Sequence, residues 1–171
     1  AVLTDRTIYV FKQPMSASTM IRSKEYHELF DRITENGSWN GNGSRQPAIA
    51  LIGHSRLVTN GTQEIHGNNQ PVIKDGLVGI HNGIVVNVED LWREFPHLNR
   101  RYEVDTEIVL SLIQGYRTQT GSLVRGIQAA FEMIEGTASI ATLFNDNQVL
   151  ALATNNGSLY ECLSLDGSVY I

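Results

Sequence analysis

Cysteine is almost absent from this chain, with Cys162 the single instance in 171 residues. A disulfide within the chain is therefore excluded, which favours a reducing compartment and makes a cytoplasmic protein the default expectation. No apolar run reaches the roughly 18 residues that a membrane-spanning helix needs. The opening Ala1-Val2-Leu3-Thr4-Asp5-Arg6 has neither the basic nor the apolar stretch of a secretion signal. Runs of Lys and Arg are missing and the net charge is −5, so no nucleic-acid partner and no membrane partner is expected. His27, His54, His66, His81 and His97 match no helical-pair or finger spacing, so neither a metal nor another cofactor is expected. There is no internal repeat and no low-complexity tract.

What is present reads as one globular domain over residues 1–171, with 42% apolar and 18% charged residues. β-Branched and aromatic residues over 7–12 predict a strand. Tyr26, Leu29, Phe30 and Ile33 predict a helix over 24–34, with Asn36-Gly37 as its C-cap. The apolar run 48–52 predicts a buried strand. Val72-Ile73-Lys74 and Leu77-Val78-Gly79-Ile80, joined by Asp75-Gly76, predict a hairpin. Asn87, with Asp90 at the capping-box position, predicts a short helix to Phe95. Helical spacing recurs over 105–116 and 122–134. Strands follow over 138–144, 149–154, 159–163 and 169–171, separated by turns at Asn145-Asp146, Asn156-Gly157 and Asp166-Gly167. Helices clustered between two antiparallel strand groups predict an α+β layered fold.

Three segments carry groups with chemical potential: Gly53-His54-Ser55-Arg56-Leu57-Val58-Thr59-Asn60-Gly61, Gly79-Ile80-His81-Asn82-Gly83-Ile84-Val85-Val86-Asn87, and Glu103-Val104-Asp105-Thr106-Glu107. Arg56, at the end of a buried strand, can grip a carboxylate with two parallel hydrogen bonds or serve a structural ion pair. The Asn82 amide and the next backbone N–H can converge on one oxyanion, or Asn82-Gly83 can be an ordinary turn. Asp105 can bind an ammonium group or cap the helix that it opens.

Together and in this order, these segments resemble the class II, N-terminal-nucleophile, glutamine amidotransferases. Gly53-His54-Ser55-Arg56 with Thr59 and Gly61 is similar to the family's His-Thr/Ser-Arg-aromatic-x-Thr-x-Gly motif. Asn69-Gln70-Pro71 resembles its Asn-Ala-x-Pro loop. His81-Asn82-Gly83-Ile84 with Asn87 matches His-Asn-Gly-Ile-x-x-Asn, and Asp105-Thr106-Glu107 matches Asp-Thr-Glu. Leu57 stands in place of the usual aromatic residue and Asn69 in place of the usual Ala. The resemblance implies the four-layer αββα sandwich of N-terminal-nucleophile hydrolases, incomplete at its N-terminus. It implies Arg56 on the α-carboxylate of L-glutamine, Asp105 on the α-ammonium, Asn82 and the Gly83 N–H as oxyanion hole, and Thr59 in support of the glutamine pocket. These groups are expected to converge on one groove.

The family's nucleophile is an N-terminal cysteine whose own amine is the base. Residue 1 here is alanine, so the resemblance implies that the segment carrying the nucleophile precedes Ala1, and that this chain alone does not turn over glutamine. Cys162, in an apolar strand pattern, is expected to be a buried, inert thiol. Without the preceding strand, an exposed sheet edge is expected to make the chain marginal in stability or to pair it with a second copy as a homo-oligomer. Ammonia is expected to pass to an acceptor on a synthase domain outside this chain. A sugar phosphate, as in glucosamine-6-phosphate synthases, is nearest in wording. Asparagine synthetase, amidophosphoribosyltransferase and a non-catalytic glutamine-binding relative are the alternatives.

Overall fold

A computed structural model of the chain describes residues 1–4, 7–36, 49–55, 65–165 and 169–170. The first sheet is small. Its middle strand β1 (Val2–Leu3) pairs antiparallel with β2 (Ile8–Tyr9). On its other side β1 pairs antiparallel with a third strand, β3 (Ala50–Leu51). The register puts Leu3, Ile8 and Ala50 on one face and Val2, Tyr9 and Leu51 on the other. Helices α1 (Ala17–Met20) and α2 (Lys24–Asn36) lie between β2 and β3 in the chain.

The second sheet has the order β4 (Val72–Lys74), β5 (Leu77–Val85), β6 (Gly136–Phe144), β7 (Val149–Thr154), antiparallel throughout. Three helices connect β5 to β6: α3 (Val88–Glu94), α4 (Asp105–Thr120) and α5 (Leu123–Met133). Two short strands, β8 (Cys162–Leu163) and β9 (Val169–Tyr170), pair with each other.

Alternation along the strands of the second sheet sorts side chains into two cores. Leu77, Val85, Ala138, Ile140 and Phe144 join Ile108, Val109, Leu112 and Ile113 of α4 and Ala130 of α5. Val78, Ile80, Ala141, Leu143 and Leu150 instead join Leu3, Ile8, Ala50 and Ile52, which places the first sheet over the other face. Beyond the first sheet, Val2, Tyr9 and Leu51 face Tyr26, Leu29 and Phe30 of α2 across a cavity of about 640 Å³. The described residues thus stack as helix, sheet, sheet, helix, the layer order expected.

Helix α4 is the internal one. All nine residues from Asp105 to Ile113 are buried, because sheet and helices cover it on opposite sides. Gly79 lets it approach β5: a Cβ there would come within 2.7 Å of a Leu110 methyl. Gly126 does the same for α5, where a Cβ would sit 2.7 Å from the Arg117 backbone nitrogen.

The hairpin forms as its sequence predicts, with Asp75 (φ 50°) and Gly76 (φ 84°) both left-handed. Elsewhere the structure corrects the sequence. The strand over 7–12 narrows to Ile8–Tyr9, because Lys12 leaves the sheet to reach carbonyl groups elsewhere. The run 48–52 contributes only Ala50–Leu51 within the described residues, and Leu51 is 56% exposed because it faces the cavity. Asn87 does not cap α3 through its side chain. Its amide donates to the Met133 carbonyl and accepts from the Glu135 N–H, both at 2.9 Å, tying the end of β5 to the start of β6. The strand over 159–163 narrows to Cys162–Leu163. Cys162 is exposed rather than buried, because β8 and β9 form an uncovered pair whose Leu163 and Val169 are exposed as well. The Gly37 cap and the Asp166-Gly167 turn fall outside the described residues.

Candidate functional site

Strand β5 changes character along its length. From Leu77 to Gly79 it is core, paired on both sides by β4 and β6. After Gly79 it loses β4, whose first residue, Val72, is the partner of Gly79. The Gln70 side chain takes over. Its carbonyl oxygen accepts the His81 N–H at 2.7 Å and its amide donates to the His81 carbonyl at 2.8 Å. An extended strand turns alternate backbone groups to the same edge. His81, Gly83 and Val85 therefore all address the edge that β4 has vacated. His81 is held there by Gln70, and the Val85 N–H donates to Asp105 Oδ2 at 3.1 Å. The Gly83 N–H lies between these two clamps.

Gly83 adopts φ 146°, and a Cβ on it would fall 2.0 Å from the Thr137 carbonyl oxygen and 2.9 Å from His81 Nε2. Only glycine fits. This is the physical content of the Asn-Gly pair: not a turn, but a strand residue whose backbone is pressed against β6. Asn82 has the opposite phase to His81, so its side chain shares the inter-sheet face with Val78 and Ile80, and it is exposed. Opposite it in register stand Ser139 and then Thr154. Their hydroxyls lie 2.8 Å apart and both donate to Asn156 Oδ1. The inter-sheet face thus runs from apolar rows at Val78 and Ile80 to a polar row at Asn82.

Asp105 opens α4 on the helix side of β5. Its Oδ1 accepts the Thr106 N–H at 2.9 Å and lies 3.5 Å from His81 Nδ1, while Oδ2 takes Val85. Burial pushes the carboxyl pKa up, but the His81 hydrogen bond and charge, with the two backbone N–H donors, outweigh it and hold Asp105 below the usual carboxylate value. Three donors leave one lone-pair direction of the carboxylate open to a further cation. His81 is buried at 3% exposure and also approaches the Thr137 carbonyl (3.4 Å) and Thr106 Oγ1 (3.4 Å).

Of the residues predicted for the site, Asn82 and Gly83 lie on the last half of β5, and Asp105 is bound to the same stretch through His81 and Val85, but the Asn82 side chain is on the inter-sheet face and Asp105 on the helix face of the strand. Arg56 and Thr59 lie outside the described residues. The cavity beneath α2 is bordered by Gly53, His54 and Ser55, just before Arg56, and by Asn69, Gln70 and Pro71. Asn82, Gly83 and Asp105 are not among its walls. Sequence reasoning missed the roles of Gln70, Lys12 and His81. Gln70 and His81 both stood inside motif segments, but nothing in either segment announced the bonds between them, and Lys12 carried no local signal.

Residues 54–167 match the glutamine amidotransferase domain family. A glutamine–fructose-6-phosphate aminotransferase of Bradyrhizobium diazoefficiens is 30% identical over 124 residues, 71% of this chain and 20% of that protein. The enzyme of the same name from Gluconobacter oxydans is 31% identical over 114 residues, 66% of this chain and 19% of that protein. The chain spans about a fifth of the length of these relatives. Among solved structures, the allosteric regulatory enzyme of purine biosynthesis aligns with TM-score 0.49 and 23% identity over 68% of this chain and 25% of that one. The glutamine phosphoribosylpyrophosphate amidotransferase of B. subtilis aligns with TM-score 0.46 and 24% identity over 63% of this chain and 23% of that one. With its family match covering 114 of 171 positions and its motifs gathered on β5 and α4, the chain belongs to the glutamine amidotransferase domain family.

Proposed function

We propose that residues 1–171 form one domain, the glutaminase part of a glutamine-dependent amidotransferase. The observation that carries this reading is the edge of β5, open among the described residues, where the Gly83 N–H sits between the Gln70 and Asp105 clamps with Asn82 next to it in the chain. Amide hydrolysis needs donors aimed at an oxygen that becomes negative, and an exposed asparagine amide next to a strand N–H supplies two. An amino-acid zwitterion also needs one anion and one cation at fixed separation. Asp105, kept ionised by its donors, supplies the first, and Arg56 the second, with Thr59 supporting the pocket.

In this scheme a cysteine thiolate attacks the side-chain carbonyl carbon of L-glutamine. The oxygen takes up the charge and points at Asn82 and Gly83. Collapse of the tetrahedral intermediate breaks the C–N bond, releases ammonia once the nitrogen is protonated, and leaves a thioester. Water then cleaves the thioester to glutamate. The chain's one cysteine, Cys162, is on the β8–β9 pair, so the nucleophile comes from outside residues 1–171, and these residues alone should not turn over. The relatives' names support a sugar phosphate as ammonia acceptor; a synthase domain that binds it and a cytoplasmic setting complete the proposal.

The test uses the full-length protein and a glutaminase assay. Asn82→Ala should lower kcat by about 10²–10³. Arg56→Ala should instead raise KM for glutamine, consistent with the loss of about 2–5 kcal/mol when one partner of a buried charge pair is removed. Unchanged kcat in the first variant together with unchanged KM in the second would remove the site from β5.

A further inference from the structure

The segment before β4 touches both halves of the site, and the same segment is pinned from behind. Asn68, fully buried, donates from Nδ2 to Glu103 Oε2 at 2.9 Å and accepts the Glu103 N–H at 3.0 Å, two residues ahead of Asp105. Two positions later Gln70 closes its pair of hydrogen bonds on His81, directly ahead of Asn82 and Gly83. Between and beyond them, the carbonyls of Asn69 and Pro71 accept from Lys12 Nζ at 2.9 and 3.2 Å. Lys12 is 8% exposed, and among the described residues no carboxylate forms an ion pair with it. Its ammonium is therefore solvated by the two carbonyls that flank Gln70, and burial lowers its pKa. A buried ammonium spent on two loop carbonyls is costly unless the loop's position matters.

We propose that Gln70 is a positioning residue for the oxyanion strand and that Lys12 is its anchor. Gln70 replaces the missing strand neighbour of β5, fixes the plane of the His81 peptide groups, and thereby aims the Gly83 N–H two residues on. Without it, β5 between Gly79 and the Val85–Asp105 bond has only β6 as a partner among the described residues, and the Gly83 peptide can rotate about the His81 and Asn82 bonds. This rests on the functional reading above for its consequence in catalysis, but its geometric part can be measured without turnover.

Two experiments separate these. On the 171-residue chain, hydrogen exchange followed by NMR should show the His81 amide exchanging about tenfold faster in Gln70→Ala and Lys12→Met, with the Gly83 resonance shifted and core amides such as Ile108 unchanged. On the full-length protein, Gln70→Ala should lower kcat about tenfold or more while KM for glutamine changes less than about twofold, the signature of an interaction made only in the transition state. Gln70→Glu adds a readout that a merely structural role would not move. A protonated glutamic acid can accept from the His81 N–H and donate to its carbonyl as the amide does, whereas the carboxylate cannot donate. The ratio of variant to wild-type kcat should therefore rise as pH falls. A pH-independent ratio, equal losses of melting temperature and of KM, or unaltered His81 exchange would each overturn the proposal. Absence of turnover in the wild-type protein with altered His81 exchange in Gln70→Ala would sink the glutaminase reading and leave the positioning intact.

Discussion

Replacing Glu107 by glutamine should destabilise this domain far more than a one-atom change suggests. Glu107 Oε1 lies 3.1 Å from Lys74 Nζ, and both side chains are 0% exposed. The carboxylate also accepts the Arg101 and Tyr102 N–H groups, each at 2.7 Å. Lys74 in turn donates to the Asn99 carbonyl, and Asp75 stands 3.8 Å away at 37% exposure. Both carboxylate oxygens and two of the three ammonium protons have partners at hydrogen-bond distance, with Asp75 within ion-pair range of the third, so the pair itself can be near neutral against an apolar replacement. Removing one charge is another matter. The stranded ammonium would retain one carbonyl and a half-solvated aspartate, and one of the two backbone donors would meet an amide NH₂. Breaking such a pair costs about 3–5 kcal/mol, against about 5–15 kcal/mol for the whole fold. Lys74→Met should cost less, because the carboxylate keeps two backbone donors. The double variant Lys74→Met/Glu107→Gln should recover part of the single losses. Urea unfolding of the 171-residue chain, arranged as a double-mutant cycle, measures all three. A cost below about 1 kcal/mol for Glu107→Gln, the range of exposed ion pairs, would show that the pair is hydrated and that α4 is not sealed against β4 as described.

Two further outcomes follow from the packing. Because the folded-state pKa of Asp105 is depressed, its contribution to stability is present above the ordinary carboxylate value of 3.8 and is lost as pH falls through the lowered one. The stability gap between wild type and Asp105→Asn should shrink over that acid range, and a gap that stays constant in pH-dependent melting would refute the assignment. Gly126→Ala should destabilise by about 1–3 kcal/mol despite its better helix propensity, since the new methyl meets the Arg117 backbone. A neutral or stabilising result in urea unfolding would mean that α5 can move away from α4 at little cost.

The parts of the fold legible in the sequence are those fixed by near neighbours. Asp75-Gly76 demanded a left-handed turn and formed one. Helix α4 was visible over 105–116 from its apolar spacing, but its last turn, Arg117 to Thr120, is polar and exposed on one side, and only left-handed Gly121 (φ 66°) stops it. Contacts between distant segments were not legible. Asn87 looked like a cap because Asp90 followed at the right interval, yet its amide is used 46 and 48 residues away. Nothing near Glu107 announces Lys74, or near Lys12 the carbonyls of Asn69 and Pro71. Cys162 looked buried because alternation cannot tell a strand with a cover from one without. Within the site, Asn82, Gly83 and Asp105 stood out as motif residues with roles, whereas Gln70, the amide that holds their strand in place, was visible only as the variable position of the Asn69-Gln70-Pro71 loop, with no role attached.

The phase of β5 limits how this gene can change. Even-numbered positions from Val78 to Asn82 serve the inter-sheet face, and odd-numbered ones from Leu77 to Val85 serve the helices and the open edge. Chemistry and core are thus written on one strand in alternating letters. Substitutions can tune either set alone. A single inserted or deleted codon between Leu77 and Asn82 would exchange the two sets for the part of the strand beyond it, sending an asparagine toward α4 and a histidine between the sheets. Divergence in length should therefore be confined to places that carry no phase, such as the turn at 145–148. Outside Gly79, Asn82 and Gly83, strand β5 can vary in residue type within each face but not in residue count.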